Sequence, residues 1–396
     1  MRWASAVSDN PSLSLAIETC VANVNAALEG APADLAVVFV SSQFAPQFGL
    51  VPQMVRDRLG PAMVFGCGAG GVIGGGHEVE NRPAVSLTVG HLPGVQLAPF
   101  RAEDPLLPNP DAGPEAWEQL VKTPRDAGPH FLIIADPFSI QAEDLLAGLD
   151  YAFPPAAKIG GLASAADRPG GNALYLEGEA FDSGAVGIAL SGNIAVDTVV
   201  AQGCRPIGAP LPITRCERNL LLELDGRPPL EVLQQLYQGA SERDQELFRH
   251  SLFLGIVMDE LQERHRLGDF LIRNLMGIDQ GTGALTVGAL LREHQTVQFH
   301  LRDAQTAGED LRSMLSQYLS DADPAHAEGA LLFQCTGRGS HLYGRPDHDT
   351  DIFREHLGAL PLGGFFCAGE IGRVGGSTYL HGYTSSFGIF RALGPE

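Results

Sequence analysis

One unit occurs three times in this chain, and few folds accommodate that repetition. Each copy runs as an apolar strand, a helix, a second strand ending in glycine, and a further apolar strand. The first copy reads DLAVVFVSSQF, a helical stretch, AMVFGCGAGGVIGGG and AVSLTVG. The second reads HFLIIADPFSI, a helix, KIGGLASA and AVGIALSG, and the third ALLFQCTGRGS, a helix, GGFFCAGEIGRVGG and SSFGIFRAL. Repetition predicts growth by duplication. It also predicts that the glycine turns gather in space, where α/β proteins usually bind ligands.

A chain of 396 residues predicts two domains. Its 44% hydrophobic content is ample for a sizeable core, and its 48 glycines between apolar strands fit α/β or α+β architecture, not disorder. The formal net charge of −21, with no Lys/Arg cluster, speaks against nucleic acid and anionic lipid as partners. Apolar runs fall well short of the roughly 20 residues of a membrane span. The opening segment MRWASAVSDNPSL lacks the apolar stretch of a secretion signal. Cysteines stand at 20, 67, 204, 216, 335 and 367 without a CxxC pair, so free thiols are expected. These features predict a cytoplasmic protein with no cofactor.

Periodicity places a strand at Arg2 to Ser8 and a helix carrying Leu13, Ala16, Ile17, Cys20, Val21, Val24 and Leu28 on one face, stopped by Gly30. Leu35 to Val40 reads as a strand buried on both faces. RAEDPLLPNPDAGP, residues 101–114, is a Pro-rich loop between the first two copies, and RPIGAPLPI reads as a Pro/Gly connector. The domain boundary is drawn near residue 215, giving segments 1–215 and 216–396. In the second segment, Pro229 to Tyr237, Glu242 to His250 and Glu309 to Leu319 read as helices. The fold expected is α/β, two tandem domains with mixed β-sheets flanked by helices.

Gly66, Gly68 and Gly71 match G-x-G-x-x-G, but Gly74-Gly75-Gly76 and a Pro-led strand follow in place of the helix a dinucleotide site needs. These glycines, with Gly70, are better explained as close approach of the backbone to a ligand or another strand. Cys67 and Cys367 sit at matching places in two copies, beside glycines. Each is either a thiol at a ligand site or a small buried hydrophobe. In CTGRGSHLYGRPDHDTD the alternating Asp347, Asp349 and Asp351 suggest a calcium loop, but Ile352 and Gly358 stand where glycine and glutamate are required. Thr350 or Asp351 is expected to cap the following helix. His341, Asp347 and His348 lack a second ligand pair that would support a metal. Arg338, followed by Gly339 and Ser340, and Glu370, preceded by Gly369, both follow buried strands. An arginine reads a carboxylate and a glutamate an ammonium, so the two suit a small zwitterion, or else they pair with each other. Tyr379 and His381 supply further candidate contacts. G-x-S-x-G, Walker and HExxH motifs are absent from the sequence.

VVFVSSQF, FGCGAGGVIGGGHEVE and FLIIADPFS resemble the N-terminal domain of the FIST family, named for F-box proteins and intracellular signal transduction. FLIRNLMGIDQGTGALTVG, LLFQCTGRGSHLYG and GGFFCAGEIGRVGGSTYLHGYTSSFGIF resemble its C-terminal domain. The resemblance implies a sensory protein that binds amino acids or related small ligands. With no output module in the chain, it implies a separate signalling partner. Two other readings stay open: a cysteine-dependent enzyme using Cys367 or Cys335 with His381, and an interaction scaffold akin to F-box relatives.

Overall fold

The computed structural model describes residues 1–60, 62–109, 111–261, 265, 268–321 and 326–394. The chain forms two compact units. One takes Met1–Val200, Arg312–Leu380 and Thr384–Glu396, and the other Ala201–Leu311 with His381–Tyr383. The family of β-strands begins with β1 (Arg2–Ser8), β2 (Leu35–Ser41), β3 (Met63–Ala69), β4 (Gly71–Gly74), β5 (His77–Glu80), β6 (Val85–His91) and β7 (Val95–Ala102). It continues with β8 (His130–Ala135), β9 (Lys158–Leu162), β10 (Leu174–Leu176), β11 (Glu179–Phe181), β12 (Ala185–Gly192) and β13 (Ala195–Ala201). The second unit holds β14 (Cys204–Glu217), β15 (Leu220–Leu224), β16 (Leu252–Val257), β17 (Phe270–Ile278), β18 (Leu285–Val287) and β19 (Thr296–Arg302). The chain closes with β20 (Ala327–Cys335), β21 (Leu362–Cys367), β22 (Glu370–Val374), β23 (Ser377–His381) and β24 (Ser385–Arg391).

Three six-stranded sheets build the first unit, in the orders β1-β6-β2-β3-β10-β11, β7-β12-β8-β9-β22-β23 and β13-β24-β20-β21-β4-β5. Each is centred on a parallel pair, β2/β3, β8/β9 or β20/β21, with an antiparallel neighbour, β6, β12 or β24. The hairpin that follows each glycine strand does not stay in its own sheet. The β4-β5 hairpin leaves β3 and pairs with β21, β10-β11 pairs with β3, and β22-β23 pairs with β9. This cyclic exchange ties the three sheets into one body.

The parallel pairs share a backbone device. Gly66, Gly160 and Gly364 have φ of +153°, +149° and +148°. A Cβ built on them would lie 1.7 Å from the Val38 carbonyl oxygen, 1.7 Å from that of Ile133 and 1.9 Å from that of Leu332. Each glycine therefore lets its strand press against the backbone of its parallel neighbour.

Phe39, Phe65, Leu132, Ile134, Phe333 and Phe365 meet in a core cluster shared by the three sheets. Phe365 stacks on Phe39 at 4.5 Å and meets Phe333 edge-on at 5.9 Å. The opposite face of the first sheet is covered by α1 (Leu13–Leu28) and α2 (Val51–Leu59), and that of the second by α3 (Pro114–Val121) and α4 (Ala142–Ala152). The seven apolar positions read from the α1 sequence are all buried.

In the second unit, β14-β15-β18-β17-β16-β19 close into a barrel. Ile213, Leu254, Leu285 and Phe299 belong to its core. The helices α5 (Pro229–Gly239) and α6 (Glu242–His250) also belong to this unit. RPIGAPLPI is not a connector: it forms most of β14, paired with β19. Of its prolines, Pro210 sits where the pairing slips between Ile207 and Leu211, whereas Pro206 and Pro212 stand in the ladder opposite His300 and Thr296. Residue 215 lies within this strand. The helix read from Glu309 begins earlier, as α7 (Ala304–Asp321), because Asp303 accepts the Thr306 amide at 2.8 Å and caps it. Gly308 hides that first turn from a periodicity argument.

Candidate functional site

The ends of the three parallel pairs converge. The Ser164 hydroxyl, just past β9, donates to the Phe366 carbonyl of β21 and accepts the Gly70 amide at 2.9 Å. A Cβ at Gly70 would meet Ser164 and Thr336, so three turns from three parts of the chain touch within one unit. Gly68 leaves room for the Phe48 ring, and Gly369 for Leu162 and Leu380. Thr336 and Ala368 are exposed at this end, and Gly70 and Ser164 half-buried. The result is a surface of small residues and hydroxyls.

Beside it lies a buried polar network that the sequence reading only partly foresees. Arg338 is 0% exposed. Its Nε donates to Asp349 Oδ2 at 2.8 Å and its Nη2 to Oδ1 at 3.3 Å, a bidentate pair, and Nη2 also donates to the Tyr343 hydroxyl at 2.6 Å. Asp349 also accepts from Ser385 at 2.6 Å and from the His348 ring at 2.9 Å, and that ring stacks on Tyr343. Burial pushes the Asp349 carboxyl up. The Arg338 charge and these hydrogen bonds overturn that and hold it well below the usual carboxylate range. Gly339 and Ser340 open the short helix α8 (Gly339–Tyr343). A Cβ at Gly339 would strike Glu80 and Phe366, and the Ser340 amide donates to Glu80 at 2.8 Å.

The helix cap differs from the expectation. Helix α9 spans His348–Leu357, so Thr350 and Asp351 lie inside it. Its free amides at Asp349 and Thr350 are accepted by Glu78 Oε1, each at 3.0 Å, from β5 about 270 residues earlier. Asp347 turns to His77 and the Glu78 amide, and Asp351 to Arg345 and Arg354. The three aspartates thus face three different partners. Among the described residues no group of three His, Cys, Asp or Glu could hold a metal ion.

Burial, then the Asp349 charge and more weakly that of Asp347, push Glu78 up to about 8, against the pull of two backbone amides. The folded state then holds a proton that the unfolded chain releases above its ordinary carboxylate range. Glu78 accordingly favours folding at low pH, and that contribution is lost as pH rises from about 4.5 to about 8. Glu78→Gln keeps the amide cap and removes the ionisation. Denaturation at pH 5 and pH 8 should show the loss flattened in the variant. An unchanged pH slope would reject this assignment.

Glu370 is also fully buried, opens β22 and accepts the Thr384 amide at 3.0 Å. Tyr379 is half-buried on β23. His381 is buried and clusters with the second unit, together with Tyr383, which packs on Phe253.

The sequence match between Cys67 and Cys367 does not survive the register. Counted from the strained glycines, Cys67 follows Gly66 by one residue and Cys367 follows Gly364 by three, where it pairs with Cys335. Both thiols are fully buried, and desolvation pushes both well above the ordinary thiol value. We expect a mild disulfide reagent at neutral pH to label the native protein chiefly at half-buried Cys216. All six thiols should react after denaturation. Fast native labelling of Cys367 would revive a cysteine-dependent reaction.

At the opposite end of the first sheet lies a cavity of about 490 Å³. Leu59, Met63 and Leu97 wall it, and Arg56, Glu177 and Asp34 line it. Gly178 makes room for the guanidinium, since a Cβ there would lie 2.8 Å from Arg56 Nη1. Among the described residues neither Arg56 nor Glu177 has an ion-pair partner. Asp34 is fixed by the Leu92 amide at 2.6 Å. Two opposite charges thus share one cavity without neutralising each other. No sequence signal pointed to this site, because its residues come from four separate segments.

The FIST N domain matches residues 34–227 and the FIST C domain residues 229–373. The chain belongs to the FIST family. FIST domains are sensory domains. Among relatives of this FIST protein, an uncharacterized protein of Mycobacterium tuberculosis is 37% identical over 390 residues, covering 98% of this chain and 100% of the relative. One of Mycobacterium bovis is 35% identical over 98% and 99% of the two chains. An F-box/LRR-repeat protein of Arabidopsis thaliana is 24% identical over 73% of this chain and 62% of its own length. A solved cyanuric acid hydrolase from A. caulinodans covers 98% of this chain and 99% of its own at a TM-score of 0.33 and 9% identity, too distant to bear on fold or activity. No described helix is long and apolar enough to cross a membrane.

Proposed function

We propose that this FIST protein is a small-ligand-binding sensory protein for amino-acid-like zwitterions and acts through a separate signalling partner. The observation that supports the ligand class is the cavity with Arg56 and Glu177 unpaired at its wall. A guanidinium that lacks a carboxylate takes one from a ligand, and Glu177 with Asp34 takes an ammonium. The apolar wall of Leu59, Met63 and Leu97 favours an apolar side chain. Arg338, by contrast, already holds Asp349 in the interior, so its first role is to fix the turn.

A thermal-shift titration with L-leucine tests the reading. Leucine raises the unfolding midpoint by mass action, whereas N-acetyl-leucine and leucinamide, each lacking one charge, do not. Arg56→Ala and Glu177→Gln, both at exposed positions, abolish the shift without altering the stability of the ligand-free protein by more than about 0.5 kcal/mol. A shift kept in both variants but lost in Thr336→Val or Ser164→Ala moves the ligand to the glycine-turn end. A flat response to every zwitterion rejects the sensor reading for this class. The likeness to the Arabidopsis F-box/LRR-repeat protein favours a second reading, an interaction scaffold. A stable, purified complex that forms independently of small ligands would select it.

A further inference from the structure

The helical cover of the second sheet encloses a cavity that neither the glycine turns nor the zwitterion site uses. Helices α3 and α4 and the Pro-rich loop before α3 bound about 540 Å³. That volume falls within the roughly 300–1,000 Å³ of small-molecule pockets.

Two features of its wall select a ligand. The first is aromatic. Trp117 of α3 lies directly on Gly148 of α4: a Cβ there would fall 1.9 Å from the indole Cζ2, so only glycine leaves the ring flat on the helix. Tyr151, one turn further along α4, lines the same cavity and is 57% exposed. The second is charge. Asp104 and Asp144 line the cavity, and among the described residues its lining contains no Lys, Arg or His. Among the described residues neither carboxylate has an ion-pair partner. Asp104 Oδ1 accepts the Gln141 amide at 2.8 Å, which pins that carboxylate at the start of α4. The helix dipole accounts for acids at this position. It does not account for an indole seated on glycine and an exposed tyrosine around the same space.

We propose that this cavity binds an organic ammonium ion with an apolar body. The body packs against Trp117 and Tyr151, and the ammonium is held by Asp144 and Asp104. Aromatic faces attract cations, and carboxylates without a basic neighbour supply the matching charge. A carboxylate-bearing ligand is repelled by the two aspartates. The site is therefore distinct in chemistry from the Arg56 cavity.

The chain contains two tryptophans, Trp3 and Trp117, so Trp117 can report binding directly. In a Trp3→Phe protein, 2-phenylethylammonium chloride should change the tryptophan emission saturably and raise the unfolding midpoint. The uncharged 2-phenylethanol and the anionic phenylacetate should do neither at matched ionic strength. Asp144→Asn, at an exposed position, should weaken binding roughly tenfold or more, the loss expected for one charge-assisted contact. Glu177→Gln should leave it unchanged, which separates this site from the zwitterion reading. No saturable response, an equal response to 2-phenylethanol, or unchanged affinity in Asp144→Asn would each overturn the proposal. Should Trp3→Phe fold poorly, the same titration followed by thermal shift in the unsubstituted protein applies the same criteria.

Discussion

Gly364→Ala is expected to give no folded protein. The new Cβ would lie 1.9 Å from the Leu332 carbonyl oxygen, 2.8 Å from its carbon and 2.9 Å from its nitrogen. Carbon atoms in contact normally sit about 3.5–4.0 Å apart. The clash is with backbone, so no rotamer relieves it. Relief requires pulling β21 away from β20, where Leu332 and Gly364 are register partners at the centre of the ladder. Separation there would also disturb Phe365, which packs on both Phe39 and Phe333. The residue's φ of +148° adds strain for any side chain. We expect a loss above about 4 kcal/mol, a large share of the roughly 5–15 kcal/mol that holds a domain together. Gly160→Ala and Gly66→Ala should behave alike. Gly49→Ala, with nothing within 4 Å of its Cβ, is the control and should stay within about 0.5 kcal/mol. Soluble yield, circular dichroism and chemical denaturation read the result. A folded Gly364→Ala protein with an unchanged midpoint would contradict the geometry.

These three glycines also show what a sequence can and cannot disclose. Each lies inside an apolar strand, not at its end, so the pattern disclosed the strand and nothing in it marked the residue that presses on the neighbouring backbone. The strands themselves, and the apolar face of α1, were visible because a buried strand or a helical stripe repeats at a fixed local period. What no local period carries is the exchange of hairpins. The β4-β5 hairpin follows β3 in sequence yet completes the sheet of β21, and that choice depends on contacts nearly 300 residues apart. The polar site suffered in the same way. Arg338 and the run of aspartates stood out because charge is rare in so apolar a sheet region. Their roles did not, because the carboxylate that caps α9 belongs to Glu78, and Asp349, the acid paired with Arg338, stood in sequence only as one of three alternating aspartates. The prolines of β14 misled in the other direction: Pro210 sits in a slip of the register, and Pro206 and Pro212 stand in the ladder itself, so the strand carries residues that usually break one.

Arg338→Ala is expected to destabilise the protein by about 3–5 kcal/mol, the usual result of removing one member of a buried ion pair. Arg338 and Asp349 are both fully buried, joined at 2.8 Å and 3.3 Å. Without the guanidinium, the Asp349 charge keeps hydrogen bonds from Ser385, His348 and Tyr343 but loses its bidentate buried partner, and its carboxyl rises because Arg338 is the chief group holding it down. Arg338→Lys should recover only part, since an ammonium cannot satisfy both carboxylate oxygens and Tyr343 in the same plane. Replacing both partners, as Arg338→Met with Asp349→Leu, removes the orphaned charge and should cost less than Arg338→Ala alone. It should also lower the Glu78 pKa, because the Asp349 charge is the second cause of its rise. The pH 5 to pH 8 stability difference therefore shrinks in the double variant, a readout that lost packing does not supply. Chemical denaturation of the three variants at both pH values decides. A single variant that loses less than about 1 kcal/mol would behave like an exposed ion pair. Arg338 would then be free to exchange Asp349 for a ligand carboxylate, and the glycine-turn end would regain its claim as the place where this protein reads its zwitterion.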